Sequence, residues 1–313
     1  KKNIQEKIKL LKEKAPDLYK TLKLEHSLRR LFKSSGNFAN IDFTYPNYML
    51  WVEVTDACNQ KCLHCYTESK RKGFFLDADV LKKIIKQASG LSFEQIQFTG
   101  GEPFVYPGLW DFIEYARVLQ GIKILEIYTN LTLIEQKDID LMKKYQVKIA
   151  TTLLGSCSEI HDKCTNTRGS FNRFMTNIRR IRDAGIDFRV GLIRLPENQD
   201  DISAIQRLMQ KEKLISQDKF YYPDDVRPVG RGEKYKNSFP KESTSKNPDN
   251  LYLHINRQHF NTACYWNTCW GGELAISSKG DVFPCIFARN QLLGNIYEQD
   301  LDKIINGPAQ NYW

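Results

Sequence analysis

The sequence predicts an α/β protein built on a partial (β/α)6 barrel that is open on one side. Strand-like apolar runs alternate with helical patterns of about 10–15 residues, which is typical of βα units around a parallel sheet. The predicted strands are 49–55, 94–99, 123–128, 147–153, 187–193 and 218–222. The predicted helices are 77–89, 108–120, 135–145, 170–184 and 200–212.

Two further segments flank the predicted barrel, which spans residues 48–235. Residues 1–47 form a predicted N-terminal helical segment, because their apolar residues recur near helical spacing on both sides of Pro16. This segment would cap the barrel or dock a partner. Residues 236–313 form a predicted small C-terminal domain.

Composition favours a cytoplasmic protein. No apolar run approaches the roughly 18 residues that a membrane span requires, and no signal peptide is recognised. Eight cysteines in 313 residues are too sparse for a disulfide scaffold. The net charge of +9 raises the question of nucleic acid, but most lysines alternate with acids, as on a solvated face. We therefore predict neither a nucleic-acid nor a membrane partner, whereas a basic surface would suit an acidic peptide.

Three cysteines follow the first predicted strand with the spacing C-x3-C-x2-C: Cys58, Cys62 and Cys65. Cysteine thiolates hold iron–sulfur clusters, and a cubane normally takes four of them. A loop that supplies three leaves one iron open to another ligand. A closed zinc site is the alternative, but its fourth ligand would be His64, whose place between two of the cysteines makes tetrahedral closure awkward.

A second motif follows the next predicted strand and consists of Thr99, Gly100, Gly101, Glu102 and Pro103. Glycines at the carboxyl end of a strand let the backbone come close to a ligand. The glutamate adds an acceptor beside that bare backbone. Because reactive groups of parallel barrels sit on loops after the carboxyl ends of strands, both motifs are expected at one mouth of the barrel.

The cysteine loop and the Gly-Gly-Glu-Pro motif together resemble the radical S-adenosylmethionine (SAM) superfamily, over roughly residues 48–313. The resemblance implies that Cys58, Cys62 and Cys65 hold a [4Fe–4S] cluster and that SAM chelates its open iron. One electron, from a reductant such as flavodoxin or ferredoxin, would break a bond of SAM. The resulting 5′-deoxyadenosyl radical would abstract hydrogen from the substrate.

The same resemblance proposes further SAM contacts. It places a ribose contact near the end of strand four, where Thr152 is the first candidate and Asn130 the second. A strand-capping role is the alternative for each. His64 takes a position that is often aromatic and would pack against adenine, and Leu192 of strand five would add an apolar contact. Arg168 could hold a carboxylate by a bidentate pair or lie on the surface.

The last segment resembles the start of the SPASM extension, a domain that holds auxiliary iron–sulfur clusters. Residues 269–285 alternate like a hairpin, and Cys269 and Cys285 could meet at its open end. Cys264 is a candidate third ligand or a buried thiol. Because the dense cysteine group of that family is not found before Trp313, we expect at least one auxiliary cluster and leave a second open.

Two cysteines remain outside these motifs. Cys157 and Cys164 are predicted to be buried or incidental thiols. Cys164 is placed in a loop after strand four that faces the cavity, where hydrogen donation or cluster ligation is an alternative.

The resemblance implies a radical SAM enzyme that modifies a ribosomally synthesised precursor peptide, by thioether or carbon–carbon crosslinking or by epimerisation. A run from Arg227 to Gly232 is a candidate substrate-side loop or a basic linker. Alternative enzymes would mature a protein, as sulfatase-maturing enzymes do, or act on a small molecule. The alternative outside enzymes is an iron–sulfur electron carrier or sensor.

Overall fold

The computed structural model describes residues 49–91, 93–119, 121–215, 223–238 and 273–306. All of them belong to one compact unit. The predicted N-terminal helical segment, the predicted strand 218–222, and Cys264 and Cys269 lie outside the described residues.

The described residues form nine strands in a single sheet and seven α-helices. In chain order they are β1 (Met49–Thr55), α1 (Ala78–Gly90), β2 (Gln95–Gly100), α2 (Leu109–Val118), β3 (Ile124–Tyr128), α3 (Gln136–Lys144), β4 (Lys148–Leu153), α4 (Ser158–Thr165), α5 (Ser170–Asp183), β5 (Phe188–Arg194), α6 (Ile202–Lys211), β6 (Asp224–Asp225), β7 (Glu273–Ile276), β8 (Asp281–Phe283), β9 (Gly294–Asn295) and α7 (Leu301–Asn306).

The barrel predicted from the sequence is confirmed in its parallel order. Strands β1 to β6 lie side by side, and each pairs in parallel with the next. The first five predicted strands and all five predicted helices agree with the structure within two residues at each end. Helix α4, in the connection after β4, was not predicted.

Alternation along the strands separates an apolar layer from a polar interior. In β3, Leu125 and Ile127 are fully buried, and the residue between them, Glu126, points to the other face of the sheet. There it accepts two hydrogen bonds of 2.9 Å from the guanidinium of Arg189 in β5 and one from the amide of Gln97 in β2. Polar side chains therefore cross the inner face of the sheet, where a closed barrel would pack branched apolar residues.

The C-terminal hairpin extends the barrel sheet at its β1 edge. Strand β7 pairs in parallel with β1, with Met49 opposite Glu273 and Val52 opposite Ile276, and β8 and β9 continue the sheet in antiparallel order. Without this partner, one side of β1 would carry unpaired backbone groups. The predicted hairpin is thus confirmed, and its first strand belongs to the same sheet as the barrel.

Across the described ranges, no helix is both long enough and apolar enough to cross a membrane.

Candidate functional site

The cysteine loop leaves the carboxyl end of β1 and folds back on itself. The amide of Cys58 donates to the carbonyl of Lys70 at 2.8 Å, and the amide of Lys70 donates to the carbonyl of Asp56 at 3.0 Å. This closure brings Cys58, Cys62 and Cys65 to the wall of one cavity at the barrel mouth, which we call the site pocket.

The two glycines of the second motif pack against the start of the cysteine loop. The amide of Gly101 donates to the carbonyl of Thr55 at 2.7 Å. A Cβ atom on Gly100, whose φ is +122°, would lie 2.1 Å from that same oxygen. A Cβ atom on Gly101 would lie 2.1 Å from the carbonyl oxygen of Ala57. Only residues without a side chain allow this approach, and both glycines also present bare backbone to the site pocket.

Glu102 joins the ends of β2 and β3 beneath the site pocket. Its carboxylate is fully buried and accepts a hydrogen bond from the Thr129 hydroxyl at 2.7 Å. It also accepts from the backbone amides of Asn130 at 2.8 Å and Phe104 at 3.2 Å. Burial raises the pKa of Glu102 to about 7, and the hydrogen bonds oppose that rise. Pro103, also buried, begins the short 3-10 turn that follows. Neither side chain lines the site pocket.

Residues from the loops after β1 to β4 form the wall of the site pocket. Besides the three cysteines, the predicted residues that line it are His64, Thr99, Gly100, Gly101, Asn130 and Thr152. The lining residues that sequence reasoning did not assign are Gln60, Tyr66, Ser69, Tyr128, Thr129, Leu154, His161 and Thr165. The predicted candidates are thus mostly brought together at one mouth.

Asn130 and Thr152 each have a polar partner in the described structure. The Asn130 side chain donates to the Asn59 side chain at 2.8 Å, and its nitrogen lies 3.9 Å from the sulfur of Cys58. The Thr152 hydroxyl hydrogen-bonds the Tyr128 hydroxyl at 2.5 Å. Asn130 therefore borders the site pocket beside the cysteine loop, and Thr152 borders it beside Tyr128.

Leu192 and Arg168 lie away from the site pocket. Leu192 is fully buried and pairs in register with Leu153. Its neighbour Gly191 faces the interior, since a Cβ atom there would lie 3.5 Å from the Thr152 hydroxyl. Alternation therefore directs Leu192 to the helix side of the sheet. Arg168 is exposed on the turn before α5, where its carbonyl accepts from Arg173 at 3.2 Å.

Two uncharged histidines line the site pocket. Burial, followed by the charge of Arg231, lowers the pKa of His64 to about 4. The buried Nδ1 atom of His64 has no hydrogen-bond partner among the described residues. Burial also lowers the pKa of His161 to about 4. The Nδ1 atom of His161 accepts from the Leu154 amide at 3.3 Å, so its proton resides on Nε2.

The three thiols suit a cluster better than a single ion. Burial raises the pKa of Cys58 to about 12 and also raises that of Cys62, with the charge of Cys65 adding to both. Such thiols become thiolates when a bound metal supplies the opposing positive charge. Within the described ranges, no three His, Cys, Asp or Glu side chains could hold one metal ion. In an iron–sulfur cubane each thiolate binds a different iron, so a cluster does not require the three sulfurs to meet at one ion.

Hydrogen-bond donors also surround the sulfurs. The amide of Gln60 donates to the sulfur of Cys58 at 3.4 Å. The hydroxyls of Thr67 and Ser69 each lie 3.2 Å from the sulfur of Cys65. Hydrogen bonds to ligating sulfurs tune the potential of iron–sulfur clusters.

Arg231 anchors the cysteine loop and was missed as a site residue. Its Nε donates to the carbonyl of Cys62 at 2.8 Å, and its Nη1 donates to the carbonyl of Ser69 at 2.9 Å. Its backbone amide donates to the carbonyl of Cys65 at 2.9 Å. Gly230 precedes it with a φ of +58°, and a Cβ atom there would lie 2.5 Å from the carbonyl of Tyr66. The sequence signal was an arginine between two glycines, in the run predicted as a substrate-side loop or linker.

Cys164 lies in α4, so the predicted loop position is wrong. The residue is fully buried and packs with Leu154, Leu195 and Val226, while its carbonyl accepts from the Leu63 amide at 2.9 Å. Burial raises the pKa of the Cys164 thiol to about 12, and the thiol does not line the site pocket. The other remaining thiol, at the exposed residue that precedes α4, is Cys157.

Cys285 is half-buried beside the cysteine loop. It packs with Trp51 and Tyr66 against a small apolar cluster of Ala275, Phe283 and Ile286. The Tyr66 hydroxyl hydrogen-bonds the Thr99 hydroxyl at 3.1 Å, and the guanidinium of Arg289 lies 5.3 Å from the centre of the Tyr66 ring. Tyr66 therefore contacts both the second motif and the region of Cys285.

Comparison with known families identifies the class of protein that this fold and site define. The radical SAM superfamily matches residues 52–209, which is just over half of the chain, so the protein belongs to that superfamily. The SPASM family, an iron–sulfur cluster-binding domain, matches residues 264–312. The cofactors are therefore a [4Fe–4S] cluster and SAM, with auxiliary iron–sulfur binding in the C-terminal part.

Individual relatives extend over most of the chain. The antilisterial bacteriocin subtilosin biosynthesis protein AlbA of Bacillus subtilis is 27% identical over 276 residues, which cover 82% of this chain and 59% of AlbA. A GTP 3′,8-cyclase of Clostridium botulinum is 28% identical over 276 residues, which cover 79% of this chain and 83% of the cyclase. This chain thus spans less than two thirds of the length of AlbA.

The fold is shared with solved structures. The crystal structure of Streptococcus suis SuiB bound to SAM superposes with a TM-score of 0.62 at 18% identity, covering 97% of this chain and 79% of SuiB.

Proposed function

We propose that the protein is a radical SAM enzyme that modifies a ribosomally synthesised peptide. Cys58, Cys62 and Cys65 hold three irons of the [4Fe–4S] cluster. When bound, the cluster and SAM supply a one-electron bond cleavage that yields a radical able to abstract hydrogen. The remaining residues of the site pocket bind SAM, orient it and keep water from the reacting atoms.

The SAM-binding residues are proposed from their position on the site pocket. The bare backbone of Thr99, Gly100 and Gly101 receives the methionyl group of SAM. Asn130 and Thr152 bind its polar groups from the ends of neighbouring strands. Glu102 acts from beneath, because its carboxylate holds the ends of β2 and β3 together.

We propose that the barrel spans residues 48–235 and the C-terminal segment residues 236–313. We assign an auxiliary iron–sulfur cluster to the C-terminal segment. Its proposed ligands are Cys285, which is among the described residues, and Cys264 and Cys269, which are not. Cys285 and Tyr66 pack against the same small apolar cluster, which supports a cluster ligand at Cys285 near the cysteine loop.

The observation that carries the peptide proposal is the similarity to AlbA. It extends over 276 residues, which cover 82% of this chain. By its name, AlbA acts in the biosynthesis of the bacteriocin subtilosin. SuiB has been crystallised bound to its precursor peptide SuiA, so the same fold accommodates a peptide in that protein.

The test is anaerobic reconstitution with iron and sulfide, followed by SAM, a reductant and candidate precursor peptides. We expect 5′-deoxyadenosine by chromatography and a peptide product by mass spectrometry, with loss of two hydrogens for a crosslink. Epimerisation is read instead as one deuterium taken up from D2O. Cys62→Ala should abolish both products, whereas the matched control Cys157→Ala, at an exposed thiol, should keep both. A fully loaded protein that forms no 5′-deoxyadenosine would refute the enzyme assignment.

A small-molecule substrate is the second candidate, favoured by the match to the GTP 3′,8-cyclase over 79% of this chain. Incubation of the loaded protein with GTP distinguishes the two candidates. A nucleotide product without any peptide product would replace the peptide proposal.

A further inference from the structure

A second groove lies along the cysteine loop. Cys58 lines both this groove and the site pocket, so the start of the cysteine loop forms a wall that the two cavities share. The bottom and sides of the groove come from the same loop and from the turn between α4 and α5.

The groove is strongly basic. Four cationic side chains line it, namely Lys61, Lys70, Arg71 and Arg231, against the single carboxylate of Glu68. The first three are exposed to solvent. Arg231 is half-buried, and its side chain already donates to two loop carbonyls. It therefore contributes positive charge to the groove and does not use these donors to bind a partner.

The basic side chains of the groove lie next to the cysteines that would hold the cluster. Lys61 directly precedes Cys62 in the chain, and the carbonyl of Lys70 accepts from the amide of Cys58 at 2.8 Å. The site pocket, which shares Cys58 with the groove, is the space assigned to SAM and substrate. A carrier seated in the groove would therefore reach the loop at Cys58 without entering the site pocket.

We propose that this groove docks the electron donor, a small acidic one-electron carrier protein of the flavodoxin or ferredoxin kind. The proposal rests on the function proposed above, which requires one electron for each SAM cleaved. In the step, the reduced carrier loses one electron and the cluster held by the three cysteines gains it, and no bond forms or breaks. Complementary charge steers such an encounter and makes it sensitive to salt.

The test compares two charge-reversal pairs in the holoprotein. Lys61→Glu with Arg71→Glu changes the groove, and Lys82→Glu with Lys86→Glu makes the same change of charge on the exposed face of α1. A milder groove pair, Lys61→Gln with Arg71→Gln, covers the case in which the reversal disturbs folding. Iron content and circular dichroism verify that each variant is loaded and folded.

Two readouts are taken with a purified acidic flavodoxin. The first is its dissociation constant for the holoprotein by calorimetry, and the second is the anaerobic stopped-flow rate of cluster reduction by the reduced flavodoxin. At low ionic strength the groove reversal should weaken both by about tenfold or more, and the Gln pair should give a smaller loss in the same direction. The α1 pair should stay within about twofold of the wild type, and added salt should shrink the difference.

Reduction by dithionite in place of flavodoxin distinguishes a failure of the docking proposal from a failure of the proposed function. Because dithionite is small, the groove variants should cleave SAM with dithionite at the wild-type rate. If wild-type holoprotein fails to cleave SAM with dithionite, the proposed function fails, while flavodoxin binding still reports on the groove. The docking proposal is overturned if the groove pairs bind and accept electrons as the wild type does. It is equally overturned if the α1 pair loses as much, or if the groove pairs weaken only the binding of an acidic precursor peptide.

Discussion

Removing the guanidinium of Arg231 should release the cysteine loop from the turn that holds it. The side chain donates at 2.8 Å to the carbonyl of Cys62 and at 2.9 Å to that of Ser69. A hydrogen bond that involves a charged group contributes about 1.5–3 kcal/mol, so the two together are worth at most about 3–6 kcal/mol. Arg231 is half-buried and water can replace part of this, which halves the figure to about 1.5–3 kcal/mol for Arg231→Ala.

The expected signal is local opening of the loop, because the side-chain hydrogen bonds of Arg231 go to Cys62 and Ser69 of that loop. A loss of about 1.5–3 kcal/mol corresponds to about 12- to 140-fold in the opening equilibrium. Hydrogen exchange of the cluster-free protein should therefore accelerate by that factor at the amides of Cys58 and Leu63, which donate to loop and α4 carbonyls. The loaded protein should lose iron to a chelator correspondingly faster. Arg231→Lys should fall between, since an ammonium cannot reproduce the planar fork.

The matched control is Arg227→Ala, four residues earlier in the same run. The Arg227 side chain is exposed and lies 5.8 Å from the centre of the Phe287 ring, a contact worth about 0.5–1 kcal/mol at an exposed site. It should leave loop exchange near the wild-type rate. If Arg231→Ala exchanges and retains iron as the wild type does, the anchoring role is refuted.

Three further substitutions, the first with a matched control at Gly90, test the packing elsewhere in the structure. Gly101→Ala should lower the free energy of unfolding by at least about 1–3 kcal/mol in a denaturant titration, because its Cβ atom would meet a loop carbonyl at 2.1 Å. Gly90→Ala, where nothing lies within 4 Å, should be neutral or stabilising. Cys164→Ala should cost about 1 kcal/mol of stability and leave SAM cleavage unchanged, since the thiol is fully buried away from the site pocket. Arg289→Ala should cost about 3 kcal/mol or more, because it strands the buried carboxylate of Glu53 without its partner.

Each of these expectations has a contradicting outcome. A stable, fully loaded Gly101→Ala protein would show that the backbone can move away from the loop. Loss of SAM cleavage in a stable Cys164→Ala protein would restore a chemical role for that thiol. As the comparison for the buried ion pair, Arg179→Ala breaks a more exposed pair with Glu212 and should cost less than about 1 kcal/mol. Equal losses in the two arginine variants would contradict the argument from burial.

Local patterning was sufficient for most of the barrel and for the position of both motifs. The strands and helices carry apolar periods that each segment shows by itself, so their bounds agree within two residues. Helix α4 was missed because it has only eight residues, and its buried positions His161, Cys164 and Thr165 make a single short stripe. The i, i+3, i+4 spacing of those three residues was the signal that could have revealed it.

The sequence by itself determined that three cysteines and two glycines would meet at the carboxyl ends of parallel strands, because chain order in βα units sets that edge. Only the tertiary structure decided how the site is held. Arg231 meets Cys62 across 169 positions of chain, and β7 completes the open side of β1 from still further away. Contacts between residues so far apart in the sequence depend on how the ends of the barrel come together. A local pattern of residues does not predict that arrangement. The same reason explains the second contact of Glu102, whose motif suggested a ligand and whose buried carboxylate joins two strand ends.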